Sequence, residues 1–241
     1  TNNYIIDVGT NATSAVSTTN DCTVTYEIQA GRNRALSGYG WGTGAWDSAN
    51  TWDTPNTSDS VTIGLRSWTL DNWGEDIIAL DIDAGIYVWD TSDGISTASN
   101  VASAISNAPT KSKFTLVSNP DRHLICFGTE TTIGTLATQD PMFIRWSDQD
   151  DYTSWTASAT NSAGSQRVTG GSKIVTAVST RGQILFLTDT SAHGMSFIGA
   201  PFTFGFQKLG TNCGAVSPHC AVDISGMVYW MSSDGFYMFD G

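Results

Sequence analysis

Paired strand-like segments recurring along the chain constrain its fold more than any other feature. Asp76-Ile77-Ile78-Ala79-Leu80 runs through a turn into Gly85-Ile86-Tyr87-Val88-Trp89-Asp90. The same arrangement returns in residues 122–128 with 142–147, in 182–188 with 194–199, and in 226–231 with 235–240. Each member is a short run of β-branched and aromatic residues bounded by Gly, Asp or Ser, the pattern of an antiparallel hairpin. The second member tends to end in an aromatic residue followed by a small or acidic one. Successive pairs lie roughly 40 to 50 residues apart, which matches the one-blade period of propellers better than the even, short spacing of a sandwich. A sheet this small cannot cover both of its faces, so such units must stack around an axis. The expectation is an all-β chain: a β-propeller-like arrangement of about four antiparallel blades over residues 63–241, forming part of a larger propeller. An irregular N-terminal β segment over residues 1–62 precedes it.

That first segment differs from the rest. Tyr4-Ile5-Ile6-Asp7-Val8 and Thr23-Val24-Thr25-Tyr26-Glu27-Ile28 alternate as strands do, and Gly38-Tyr39-Gly40-Trp41-Gly42-Thr43-Gly44-Ala45-Trp46 follows. Glycine at this density places Trp41, Trp46 and Trp52 on loop. There they could form a platform for a sugar ring or a partner protein, or fold back over an irregular segment. These three are the candidate partner or glycan contacts. The best helical stretch, residues 96–107 before Pro109, reads as loop or a single turn. Because the chain begins at Thr1, a leader or a longer N-terminal part is expected to precede it.

Eleven Lys and Arg stand against 23 Asp and Glu, a formal charge of −12. A surface that grips phosphate by neutralising it is disfavoured, and with it sequence-specific nucleic-acid binding. No apolar run reaches the roughly 18 residues of a membrane span, and no basic-then-apolar leader is visible. The four cysteines, Cys22, Cys126, Cys213 and Cys220, form no CxxC pair and are expected as mostly buried thiols, Cys126 within an apolar run.

Groups that could carry chemistry are scattered. Asp90, Asp93, Asp148, Asp150, Asp151 and Asp234 fall in turns, but none of these stretches combines a glycine at the bend with a distal bidentate acid as calcium loops do. His123, Cys126, Cys213, His219 and Cys220 are the only zinc ligands to consider. His219 and Cys220 are adjacent, so on extended backbone they point apart. His193 is expected in a turn, in contact with solvent. Glu75 and Asp76 beside Trp73 suggest a carboxylate pair, yet neighbours on a strand face opposite ways, and a hairpin turn explains them better. No G-x-S-x-G elbow, phosphate loop or basic stripe is present. The reading is of a protein without catalytic, cofactor or metal residues.

Several segments resemble known proteins. Arg66-Ser67-Trp68-Thr69-Leu70-Asp71-Asn72-Trp73-Gly74-Glu75-Asp76, then residues 120–128, 144–151 and 210–214, are similar to structural proteins of tailed bacteriophages, many of them from marine viruses. More distantly, roughly the second half of the chain resembles the packaged-DNA stabilisation protein, or tail hub, of short-tailed phages. That family has an Arg-led strand ending in Cys-Phe-Gly, an aromatic strand after a Thr-Asp-Thr-like turn, and a Gln-x-x-Gly-x-x-Cys element. Residues 122–128, 189–197 and 207–213 stand in those places. The resemblance implies a propeller-like hub in the tail or connector of the virion, made in the bacterial cytoplasm and present in several copies as a ring-like multimer. Such a hub contacts tail, adaptor or portal subunits, closes the DNA exit, holds distal tail parts and touches packaged DNA only passively. An acidic lumen suits such a conduit because it repels phosphate and lets DNA slide. The alternative is a carbohydrate-binding tail or receptor-recognition component acting through Trp41, Trp46 and Trp52.

Overall fold

The structure is a computed structural model that describes residues 67–93 and 101–241. The described residues all belong to one compact unit that ends at residue 241. The N-terminal segment, with Trp41, Trp46 and Trp52, lies outside the described residues.

Among the described residues, fifteen strands form four antiparallel sheets. The first holds β1 (Trp68–Trp73), β2 (Asp76–Asp81), β3 (Ile86–Trp89) and β4 (Ser103–Ala104). The second holds β5 (Phe114–Ser118), β6 (His123–Phe127), β7 (Phe143–Trp146) and β8 (Gly164–Arg167). The third holds β9 (Ile174–Ser179), β10 (Ile184–Thr188), β11 (Ser191–Gly199) and β12 (Thr203–Thr211), and the fourth β13 (Ala221–Ile224), β14 (Met227–Met231) and β15 (Phe236–Phe239). Each sheet is a meander, its strands hydrogen-bonded in chain order. The described residues contain no α-helix; residues 101–107 of the helical stretch hold β4 and a turn.

All four hairpins read from the sequence exist. They are β2–β3, β6–β7, β10–β11 and β14–β15, each with antiparallel register. Local chemistry sets the turns. Trp73 pairs with Asp76 around Gly74, whose φ is 67°, so Glu75 and Asp76 belong to a hairpin turn and its following strand. Ser225 and Gly226 both take positive φ, 57° and 89°, between the paired Ile224 and Met227. That is the two-residue turn whose twist matches a right-twisted ribbon.

Side-chain alternation explains how the sheets stack. On β6, Leu124 and Cys126 pack with Ile78, Leu80, Ile86 and Val88 of the first sheet, while Ile125 and Phe127 pack with Ile184, Phe186 and Met195 of the third. On β10, Ile184 and Phe186 face the second sheet, and Leu185 and Leu187 face Val228 and Trp230 of the fourth. The middle sheets are therefore covered on both faces, which is why every residue of β5, β6 and β10 is buried. Period-2 geometry turns a continuous apolar run into two opposed contact faces. Each fully buried Leu, Ile or Phe contributes about 1.5–3 kcal/mol.

The first strands of successive sheets lie side by side: β1 against β5, β5 against β9, and β9 against β13. The Asp71 carboxylate on β1 accepts the Val117 N–H of β5 at 2.7 Å. Backbone bonds from Val168 N to Met142 O (3.0 Å) and from Cys213 N to Thr190 O (3.1 Å) tie the connecting segments to the sheets they leave.

Candidate functional site

Among the described residues, the groups singled out in the sequence do not converge. His123 and Cys126 lie on opposite faces of β6, Cys213 packs between the third and fourth sheets, and His219 is exposed, its Nε2 2.9 Å from Ser67 Oγ. No group of three or more His, Cys, Asp or Glu side chains in the described residues could hold a metal ion. Cys126, Cys213 and Cys220 are free thiols, and burial pushes Cys126 up to about 12, where it is unreactive at neutral pH.

The turn carboxylates are engaged by their own loops. Asp90 accepts the Ser92 N–H (2.8 Å) and hydroxyl (2.5 Å). Asp148 accepts the Ser162 N–H (2.8 Å) and hydroxyl (2.6 Å) together with the Gln149 N–H (2.9 Å). Burial alone would raise Asp148, but these bonds outweigh it and hold the carboxyl below its ordinary value. Asp151 accepts from Thr153, and Asp150 pairs with Arg122 at 2.8 Å. Arg122 in turn lies 5.2 Å from the Trp73 ring centroid, so this acidic run braces the junction of the first two sheets. Asp76 accepts the Thr91 N–H at 3.1 Å.

The structure corrects one expectation outright. His193 is not in a solvated turn; it sits on β11, 5% exposed, stacked on Phe186 at 5.0 Å. Its Nε2 is 2.9 Å from Ser191 Oγ. This serine–histidine pair has the spacing of a nucleophile and its base, but Ser191 is 1% exposed, its hydroxyl shared among the Gly170 carbonyl, Thr188 Oγ1 and the imidazole. An activated nucleophile needs access to substrate. The cluster, with Thr188 accepting the Ser191 N–H at 2.8 Å, pins the segment around Gly170 to β11. Burial, and then the charge of Lys208, lower His193 below the ordinary histidine value. Strand alternation does not reveal this cluster, because Ser-Ala-His-Gly carries no apolar period.

A second buried polar group joins Glu130 and Arg145. Glu130 accepts the Thr110 hydroxyl at 2.5 Å and the Gly134 N–H at 2.8 Å, and Arg145 Nη2 donates to the Thr131 carbonyl at 2.8 Å. These bonds fix the loop between β6 and β7.

Two surface features stand out among the described residues. A groove of about 520 Å³ lies between the 180–183 and 225–227 turns, with Arg181, Ser196, Met227 and Asp240 on its walls. Arg181 lies flat against Gly226, where a Cβ would come 2.9 Å from its Cδ. The other feature is the outer face of the fourth sheet. By register, Val222 and Ile224 of β13, Met227, Tyr229 and Met231 of β14, and Phe236 and Met238 of β15 share that face. All seven are more than a third exposed, Phe236 at 84%. No helix of the described residues is long and apolar enough to cross a membrane.

Compared with known proteins, the chain matches no family model and no curated protein.

Proposed function

We propose that this chain is a non-enzymatic structural component of a tailed-phage virion, acting at the tail hub where it helps to close the DNA exit and attach distal tail parts. In this reading the four sheets are consecutive blades of a β-propeller-like body, part of a larger one. The observation that carries it is the placement of the first strands, each against the first strand of the next sheet while the later strands follow outward in chain order. Blades around a common axis have that arrangement. The sheets begin at Trp68, Phe114, Ile174 and Ala221, intervals of 46, 60 and 47 residues, so the period is kept except where residues 147–163 enlarge the second unit. The engagement of Ser191, His193, Glu130 and the turn carboxylates in bracing bonds supports a scaffold role.

The net charge of −12 suits a body that borders DNA without holding it. The protein is placed in several copies that contact one another and neighbouring tail, adaptor or portal subunits. Cross-linking mass spectrometry of purified particles tests this: links from residues of this chain to portal or adaptor subunits are expected. Links confined to receptor-binding fibres would contradict it, as would absence of the chain from the particles.

A further inference from the structure

β11 and β12, nine residues each, are the longest strands among the described residues. β10 pairs with β11 only from Ile184–Met195 to Leu187–Ala192. Residues 196–205 therefore run on past β10 as a two-stranded ribbon, joined through Ser196–Gly205, Phe197–Phe204 and Gly199–Thr203. A lone ribbon of this kind is marginal in water, so its position depends on what it rests against. It rests on the second sheet. Phe204 meets His123 edge-on at 5.2 Å and Trp146 at 5.3 Å, Phe197 lies 5.8 Å from His123, and the Thr203 hydroxyl donates to the Ser162 carbonyl at 2.9 Å. Two of these three ring contacts are to one histidine. Beyond them the ribbon ends in exposed Ile198 and Phe202.

His123 is fully buried, and its Nδ1 donates to the Ser147 carbonyl. A second proton can go only to Nε2. That atom is buried and has no hydrogen-bond partner among the described residues, and an unpaired cationic N–H buried there is costly. Asp121, Asp148 and Asp150 act on the ring from loops of its own sheet, and Arg122, next along the chain, is paired with Asp150. From the third sheet it meets only the two phenyl rings, with Arg181 further out on the wall of a slot of about 170 Å³ between the sheets. Phe197, Phe204, Ser118 and Asp121 line the same slot. It gives water a short way to the ring once the phenyl groups move aside.

We propose that the ribbon over residues 196–205 is an acid-released flap, held against the second sheet by neutral His123 and freed when that imidazole takes a second proton. Burial holds the closed ring below the ordinary histidine value, whereas in the open form the ring is hydrated and titrates near 6.5. Opening therefore becomes easier as pH descends through that value, by at most about 30-fold between about pH 8 and about pH 5. Release adds Phe197 and Phe204 to the exposed Ile198 and Phe202, so the chain presents a larger apolar contact in acid than at neutral pH. The proposal stands apart from the virion reading, since it concerns one side chain and the ribbon it holds.

Hydrogen exchange of the full chain, corrected for the intrinsic rate of each amide, tests it across that pH window, which lies above the ordinary carboxylate range. Protection of residues 196–205 should fall about 10- to 30-fold from about pH 8 to about pH 5, and less than about 3-fold in His123→Gln. His193→Gln should keep the full response, because that ring lies beside Gly170 at the other end of β11. Should His123→Gln fail to fold, the His123 ring of the unaltered chain, followed by NMR, should charge in step with the loss of protection. Constant protection across the window would overturn the proposal, as would an equal fall in His123→Gln or a response lost in His193→Gln. So would a ring that charges while the ribbon stays protected, or a loss of protection spread evenly over all four sheets.

Discussion

His123 Nδ1 donates to the Ser147 carbonyl at 2.8 Å, which places a proton on that nitrogen inside the protein. The ring is fully buried, with Phe204 edge-on at 5.2 Å and Phe197 at 5.8 Å. Its Nε2 finds no hydrogen-bond partner among the described residues. Burial lowers the His123 pKa, with the Ser147 bond and the charges of Asp121, Asp148 and Asp150 opposing it. Folded His123 and His193 thus resist protonation that the unfolded chain accepts below about pH 6.5. Stability from these groups is fully present above that value and falls as pH descends through it. Thermal denaturation from about pH 8 to about pH 5 should show a declining Tm, with a shallower decline in His123→Gln. An equal slope in the variant would assign the pH dependence elsewhere.

Trp146 crosses over Gly164 so closely that a Cβ there would lie 2.5 Å from the indole ring. The ring is held by its own bond to the Ser162 carbonyl at 2.9 Å and by Phe204 at 5.3 Å, so it cannot yield freely. Gly164→Ala is expected to destabilise by about 1–3 kcal/mol. Gly182→Ala, which meets nothing within 4 Å, should be neutral or slightly stabilising by comparison. Urea denaturation of the two variants distinguishes these outcomes.

Phe186 joins the second and third sheets through Phe127 at 5.9 Å and carries His193 stacked on its other side. Phe186→Ala should cost about 3–5 kcal/mol in the same measurement. It should also release His193, so hydrogen exchange around Gly170 should rise. A loss below about 1 kcal/mol would mean that the two sheets do not share one cooperative core.

Much of this fold is legible in the chain. β6 and β10 carry nearly unbroken apolar runs because both of their faces are covered, and residues 122–128 and 182–188 stand out for that reason. Peripheral strands do not. β8 is Gly-Ser-Gln-Arg, largely exposed, and β4 has two residues, so neither leaves a period to read. The Asp234-Gly235 pair, a hairpin dipeptide, does mark a turn: Ser232 N donates to the Gly235 carbonyl at 2.8 Å. Left-handed positions at other turns are taken by Asp83 and Arg122, in Asp-Ala and Arg-His pairs that no dipeptide rule marks. The buried Ser191–His193 pair is illegible because much of its burial comes from the Gly170 segment, which lies outside the β10–β11 hairpin.

A structural role leads to an expectation about sugars. The purified chain should release no reducing ends from host polysaccharide and should show no selective binding on a glycan array. Turnover abolished by Glu75→Gln or Asp76→Asn would reverse the assignment. Array binding lost on substitution of Trp41, Trp46 or Trp52 would favour the receptor-recognition alternative.

Electron cryo-microscopy of intact particles bears most directly on the claim that the serial sheets are blades of a hub. The account predicts density for this chain at the connector or upper tail, with β1, β5, β9 and β13 innermost around one axis and further blades completing the turn. Finding the chain on fibres remote from the connector, or finding these four sheets packed with no common axis, would contradict it.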